Sequence, residues 1–213
     1  MSKKLEIKQR RREEAERREA ERKAAARRRN IITIAITVVV AAVVGAAVFF
    51  QRQEDANSNI GGSIASAGCD DIETFEEAEG EDSRGHVEEG QDIQYESNPP
   101  TFGPHFGTTS PAGFFDEPVV EEILVHNLEH GQIVIHYNPD ASQETKDKID
   151  ELVDQEPQAT LAVPNASIEK SVVFTAWGAL QACDEPAQEA ADAFRERFQG
   201  RGPEQVGIPT FTG

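Results

Sequence analysis

The chain has 213 residues, with 21 Lys and Arg against 39 Asp and Glu and a formal net charge of −18. That length allows one domain or two small ones, and the charge is split: residues 1–30 hold 13 Lys/Arg and 6 Glu, while the other 8 Lys/Arg and 33 Asp/Glu lie beyond residue 50. A part this acidic repels phosphate backbones, which sets nucleic acid aside as its partner and reads as a solvated, salt-tolerant surface, with a cation site within Glu76–Glu89 as the alternative.

Residues 1–30 form a basic arm of good helix formers with almost no apolar stripe, read as a solvated helix of coiled-coil type or a disordered segment. Glu13/Arg17, Glu14/Arg18 and Glu19/Lys23 are spaced for helical ion pairs worth a few tenths of a kcal/mol each. The basic residues nearest the apolar run that follows favour anionic lipid by ~1 kcal/mol each. That run, Ile31 to Phe50, contains no charge. At the helical rise, 20 residues span about 30 Å, the thickness of a bilayer's hydrocarbon core. Arg27, Arg28 and Arg29 abut its start and only Arg52 follows closely, so the positive-inside rule predicts a single-pass protein of the cell membrane. Its N-terminus is cytoplasmic and everything after Gln51 extracytoplasmic. A cleaved signal peptide fits poorly, because thirty polar residues precede a full-length span. A lipoprotein site at Ser66-Ala67-Gly68-Cys69 lies too far beyond the apolar run.

Residues 51–68 are polar and rich in Ser, Gly, Ala and Asn, the composition of a tether. A globular domain is expected over 69–203, followed by a tail, 204–213. It holds the two cysteines, Cys69 and Cys183, which an oxidising compartment joins as a disulfide. Gln132–Tyr137 reads as a buried strand and Ser142–Gln155 as a helix capped by Ser142. Thr160–Val163 and Ser171–Trp177 read as strands, and Pro186–Gln199 as a second amphipathic helix. This order predicts an α+β fold: a small, mostly antiparallel sheet with two helices on one face, plus one N-terminal transmembrane helix.

The chemistry-bearing residues are five histidines: His86, His105, His126, His130 and His136. In His126-Asn127-Leu128-Glu129-His130 two imidazoles stand four apart, on one face if the segment is helical and within reach of one metal. His105 ends a proline-stiffened loop, Asn98 to Pro104, and Gly85-His86 offers a further ligand. The bland reading is that these rings cap helices and hold backbone carbonyls. The same five residues also match the inverted zincin pattern, His-x-x-Glu-His, with Glu129 as general base. A strand predicted to begin at Gln132 leaves too short a helix for such a peptidase.

Three stretches together, Tyr95 to His105 (YESNPPTFGPH), Val125 to Gly131 (VHNLEHG) and Thr175-Ala176-Trp177-Gly178, resemble the family of proteins of unknown function called DUF3105. Its members are mostly bacterial proteins that are membrane-anchored or secreted. The resemblance covers roughly Cys69 to Pro203. The family pattern has Ser where Phe102 stands, which leaves the shape of that loop open. The resemblance implies no activity, but it places His86, His105, His126, His130 and Glu129 at matching motif positions.

These residues predict a metal site of His86, His105, His126 and His130, with Glu129 behind one ring fixing its tautomer. An imidazole set suits Cu(II) or Zn(II), and the only methionine is Met1. The expected function is a tethered, extracytoplasmic metal-binding domain. A non-catalytic envelope interaction module with structural histidines is the alternative, and a zinc peptidase a minor one.

Overall fold

The computed structural model describes Arg17, Arg18, Lys23, Arg27, Val38, Val39 and residues 42–52, 62–76, 84–91 and 93–212. They divide into two units, Met1–Ser58 and Asn59–Gly213. In the first, the described residues are helical, including 42–52. Among the described residues no helix is long and apolar enough to cross a membrane. The expected span Ile31–Phe50 is described only at Val38, Val39 and 42–50; its other residues, 31–37, 40 and 41, like most of the basic arm, lie outside the described residues.

The second unit runs through β1 (Glu73–Thr74), β2 (His86–Val87), β3 (His105–Phe106), β4 (Gly113–Phe114), α1 (Glu121–Glu129), β5 (Ile133–Tyr137), α2 (Gln143–Gln155), β6 (Thr160–Pro164), β7 (Val172–Ala176), β8 (Ala179–Cys183) and α3 (Gln188–Phe198). Six strands form one sheet in the order β1-β8-β7-β5-β6-β4, and β2 pairs with β3 apart from it. The sheet is mostly antiparallel, as predicted, but β5-β6 and β6-β4 are parallel. Parallel neighbours need a crossover, and α2 supplies the one between β5 and β6.

Strand alternation sorts the core onto two faces. Ile133, Ile135 and Tyr137 of β5 join Val172, Phe174 and Ala176 of β7 against Ile149, Leu152 and Val153 of α2 and Ala190, Ala191 and Phe194 of α3. These are the two helices expected on one face. The Ser142 hydroxyl caps α2 by accepting the Thr145 N–H at 3.1 Å. On the other face Val134, Leu161 and Val163 pack against Leu124 and Leu128 of α1, a helix the sequence reading left conditional. The expected strand Ser171–Trp177 ends at Ala176. Trp177 and Gly178 (φ +68°) turn the chain into β8, a partner the sequence did not reveal.

Cys69 and Cys183 form the expected disulfide. Residues 62–66, read as tether, form a helical turn, and the Ala67 that follows is buried. The Ala67 carbonyl accepts the N–H groups of Asp184 and Glu185, each at 3.1 Å.

Candidate metal centre

Three stretches of chain meet beyond the α1 face of the sheet. At about 100° per residue, Leu124 and Leu128 anchor one flank of α1 to the sheet and turn His126 and Glu129 to the opposite flank, toward β2 and β3. The β2–β3 ladder sets His86 directly across from His105. Its loop is pinned by the Tyr95 hydroxyl, which donates to the Pro104 carbonyl at 2.8 Å, and by the Gly178 N–H, which donates to the Thr101 carbonyl at 3.1 Å.

The end of α1 is equally determined. The Gly131 N–H donates to Leu128 O at 2.9 Å and the Gln132 N–H to Asn127 O at 3.0 Å, the paired bonds of a Schellman stop, with Gly131 at φ +88°. Buried Asn127 bonds the segment after β3 through both amide groups: its Nδ2–H donates to Ser110 O at 2.8 Å and its Oδ1 accepts the Ser110 N–H at 3.0 Å. Asn127 thus holds α1 and the segment after β3 in one arrangement.

His86, His105, His126 and Glu129 each offer a donor atom, and these four atoms lie within 4.8 Å of one another. Tetrahedral donors on bonds of about 2.1 Å stand about 3.4 Å apart, so side-chain shifts of about 1 Å close the set on an ion. Ring centroids agree: His105 and His126 are 4.9 Å apart, His86 and His126 4.8 Å. His105, His126 and Glu129 are buried and His86 is exposed, so the cluster opens to solvent on the β2 side.

The hydrogen bonds fix which nitrogen of each buried ring is free. His126 Nδ1 lies 2.9 Å from the Phe106 carbonyl, and a carbonyl only accepts, so Nδ1 carries the proton and Nε2 keeps its lone pair. His105 Nδ1 lies 2.8 Å from the Gly103 carbonyl by the same logic, yet its Nε2 stands 3.1 Å from Glu129 Oε2. Both nitrogens of His105 therefore face oxygen acceptors. A neutral imidazole has one N–H and a carboxylate has none, so the Nε2–Oε2 approach calls for a cation between the two atoms, a proton or a metal ion. Burial first, then the nearby His130 and His105 rings, lower the His126 pKa below its ordinary 6.5, against the Phe106 hydrogen bond, which raises it. The neutral, ligating form of that ring is favoured.

The placement of the five predicted residues is uneven. His86, His105 and His126 come together. Glu129, expected behind a ring, has Oε2 3.1 Å from His105 Nε2 and falls in the same group of donor atoms. His130 turns outward to Glu204, its Nε2 3.2 Å from Oε2, and groups instead with His126 and Glu204. His136 is buried in β5 away from the cluster, 3.2 Å from Thr175 Oγ1, and burial pushes its pKa down to about 3. Sequence reasoning missed Glu204 and Asn127. Asn127 lies inside the motif itself, but nothing in the spacing marks Glu204, which arrives from the far end of the chain.

A family model described as a protein of unknown function (DUF3105) matches residues 86–209, a stretch that includes all of these residues. No curated protein and no solved structure matches the chain.

Proposed function

The chain belongs to the DUF3105 family of proteins of unknown function, and from the site its matched residues build we propose that it binds one divalent transition metal ion, Zn(II) or Cu(II), through His86, His105, His126 and Glu129. The observation that carries this reading is the convergence of four donor atoms, one from each of these residues, within 4.8 Å of one another. Three imidazoles and one carboxylate suit Zn(II) and Cu(II). The net negative charge of the residues beyond 50, 8 Lys/Arg against 33 Asp/Glu, favours divalent cations over anions at long range. The proposal keeps the topology read from the sequence: a cytoplasmic basic arm at anionic lipid, one membrane span over Ile31–Phe50, and the metal-binding unit outside the cell membrane.

The test uses the full chain in mild detergent, purified without added metal. Elemental analysis measures bound metal. A Cu(II) titration is then followed by the fluorescence of Trp177, the single tryptophan, whose ring centroid is 6.1 Å from that of His105. Saturable quenching at one ion per chain, lost in His126→Ala, is expected. Quenching unchanged in that variant overturns the proposal.

One observation favours a second reading, a non-catalytic interaction module. His105 and His126 each hold a backbone carbonyl, Gly103 and Phe106, as purely structural histidines do. On that reading their replacement lowers stability and no metal affinity exists to lose. The peptidase alternative has less to support it: a general base needs a carboxylate free to hold water, and Glu129 faces His105, while His130 faces Glu204.

A further inference from the structure

Two groups of donors share one residue, His126. The inner group is His86, His105, His126 and Glu129; the outer is His126, His130 and Glu204, again with donor atoms within 4.8 Å of one another. With Nδ1 of His126 committed to the Phe106 carbonyl at 2.9 Å, only Nε2 remains, and one lone pair cannot serve two ions at once. The groups are therefore alternatives rather than halves of a two-metal centre. They are also unequal. The inner has four donors, of which His105 is fully buried and Glu129 nearly so. The outer has three, with the Glu204 side chain 52% exposed and His130 20% exposed.

We propose that His130 and Glu204 form an exchange site, through which the metal reaches and leaves the inner group while His126 stays bound throughout. This rests on the metal-binding reading above. The His126 and His130 ring centroids are 4.5 Å apart, so an ion held by His126 trades His130 and Glu204 for His105 and Glu129 one ligand at a time and is never stripped to a single protein donor. Ligand-by-ligand replacement lowers the barrier to exchange without adding to the final affinity. The Glu204 backbone is anchored beside the end of α1, since its N–H donates to the Glu129 carbonyl at 3.1 Å. The segment beside it fits closely, as a Cβ on Gly202 would overlap that same carbonyl oxygen.

The experiment loads the full chain with one equivalent of Zn(II) and measures transfer to an excess chromophoric chelator, alongside equilibrium affinity by competition. The variants are Glu204→Gln and His130→Ala, with circular dichroism and melting as controls for folding. The conservative Glu204→Gln at an exposed carboxylate keeps the test valid should His130→Ala disturb the helix end. Transfer is expected to slow at least tenfold in both variants, with affinity within threefold of the parent. Unchanged transfer assigns exchange to the exposed His86 and overturns the proposal. Two zinc ions per chain, or an affinity loss of a hundredfold in His130→Ala, overturns it by making His130 a resident ligand. No zinc bound by the parent chain overturns the metal-binding reading along with it, and that result is distinct from the others.

Discussion

His86 and His105 are register partners in the two-residue β2–β3 ladder, so main-chain pairing alone sets their imidazoles side by side, with ring centroids 5.0 Å apart. That pairing is made by the main chain and needs no ion, so the residues of the cluster can be replaced one at a time to test the proposed site.

Glu129→Gln separates binding from folding. A Gln amide keeps the size of the side chain and donates to His105 Nε2, so the metal-free protein should melt within a few degrees of the parent. Zinc affinity should fall by at least about 100-fold, since even residues behind a ligand cost 10–100-fold. The stabilisation given by zinc at 100 times the parent dissociation constant, about 2.7 kcal/mol, should largely vanish. Melting curves with and without zinc measure both, and a preserved zinc shift would exclude Glu129 as a ligand.

His136 gives the fold an acid sensitivity of defined sign. Burial holds its folded pKa near 3 against an ordinary 6.5, so the unfolded chain takes up the proton first. The stability this provides is complete above about pH 6.5 and is lost as pH falls toward 3, at about 1.4 kcal/mol per pH unit. Urea midpoints measured from pH 7 to 4.5 should fall less steeply in His136→Gln. An identical slope would place the proton uptake elsewhere.

Gly131→Ala tests the junction between α1 and the C-terminal segment. At φ +88° an L side chain is strained, and its Cβ would stand 2.9 Å from the Gly202 nitrogen. The expected loss is about 1–3 kcal/mol, measured by chemical denaturation. A neutral substitution would mean that the 200–204 segment yields readily.

Reduction of Cys69–Cys183, separated by 114 positions, should cost about 4–5 kcal/mol if the crosslink acts by restricting the unfolded chain. Comparing denaturation of the oxidised protein with that of a Cys69→Ser/Cys183→Ser variant gives the value; equal stabilities would contradict that account.

Legibility in the sequence followed the length and period of each element. The β-branched run ending at Tyr137, the Ser142 cap and the Ala190/Phe194 stripe announce β5, α2 and α3, because each repeats its signal over several residues. Strands β1 to β4 are two residues long and carry no period. Ala179–Cys183 has no β-branched residue, so β8 is recognisable only once β7 is there to pair with it. Of the site, His126 and Glu129 lie three apart and share a helical face, a signal present in the motif. Which of Glu129 and His130 turns inward depends on how α1 lies between the sheet and β3, and that is set by Leu124 and Leu128 packing on residues distant in sequence. Glu204 reaches His130 through a turn that only the folded chain closes.

The sulfur link between Cys69 and Cys183 also has a mechanical meaning. Tension applied to the folded unit through residue 68 and through α3 is carried across the covalent bond between the two cysteines and bypasses residues 70–182. His86, His105, His126, Glu129 and His130 all belong to that slack segment. For tension entering at those two points the cluster lies off the covalent load path, whereas a pull on the 200–204 segment, which bonds Glu129 and Gly131, would reach it directly.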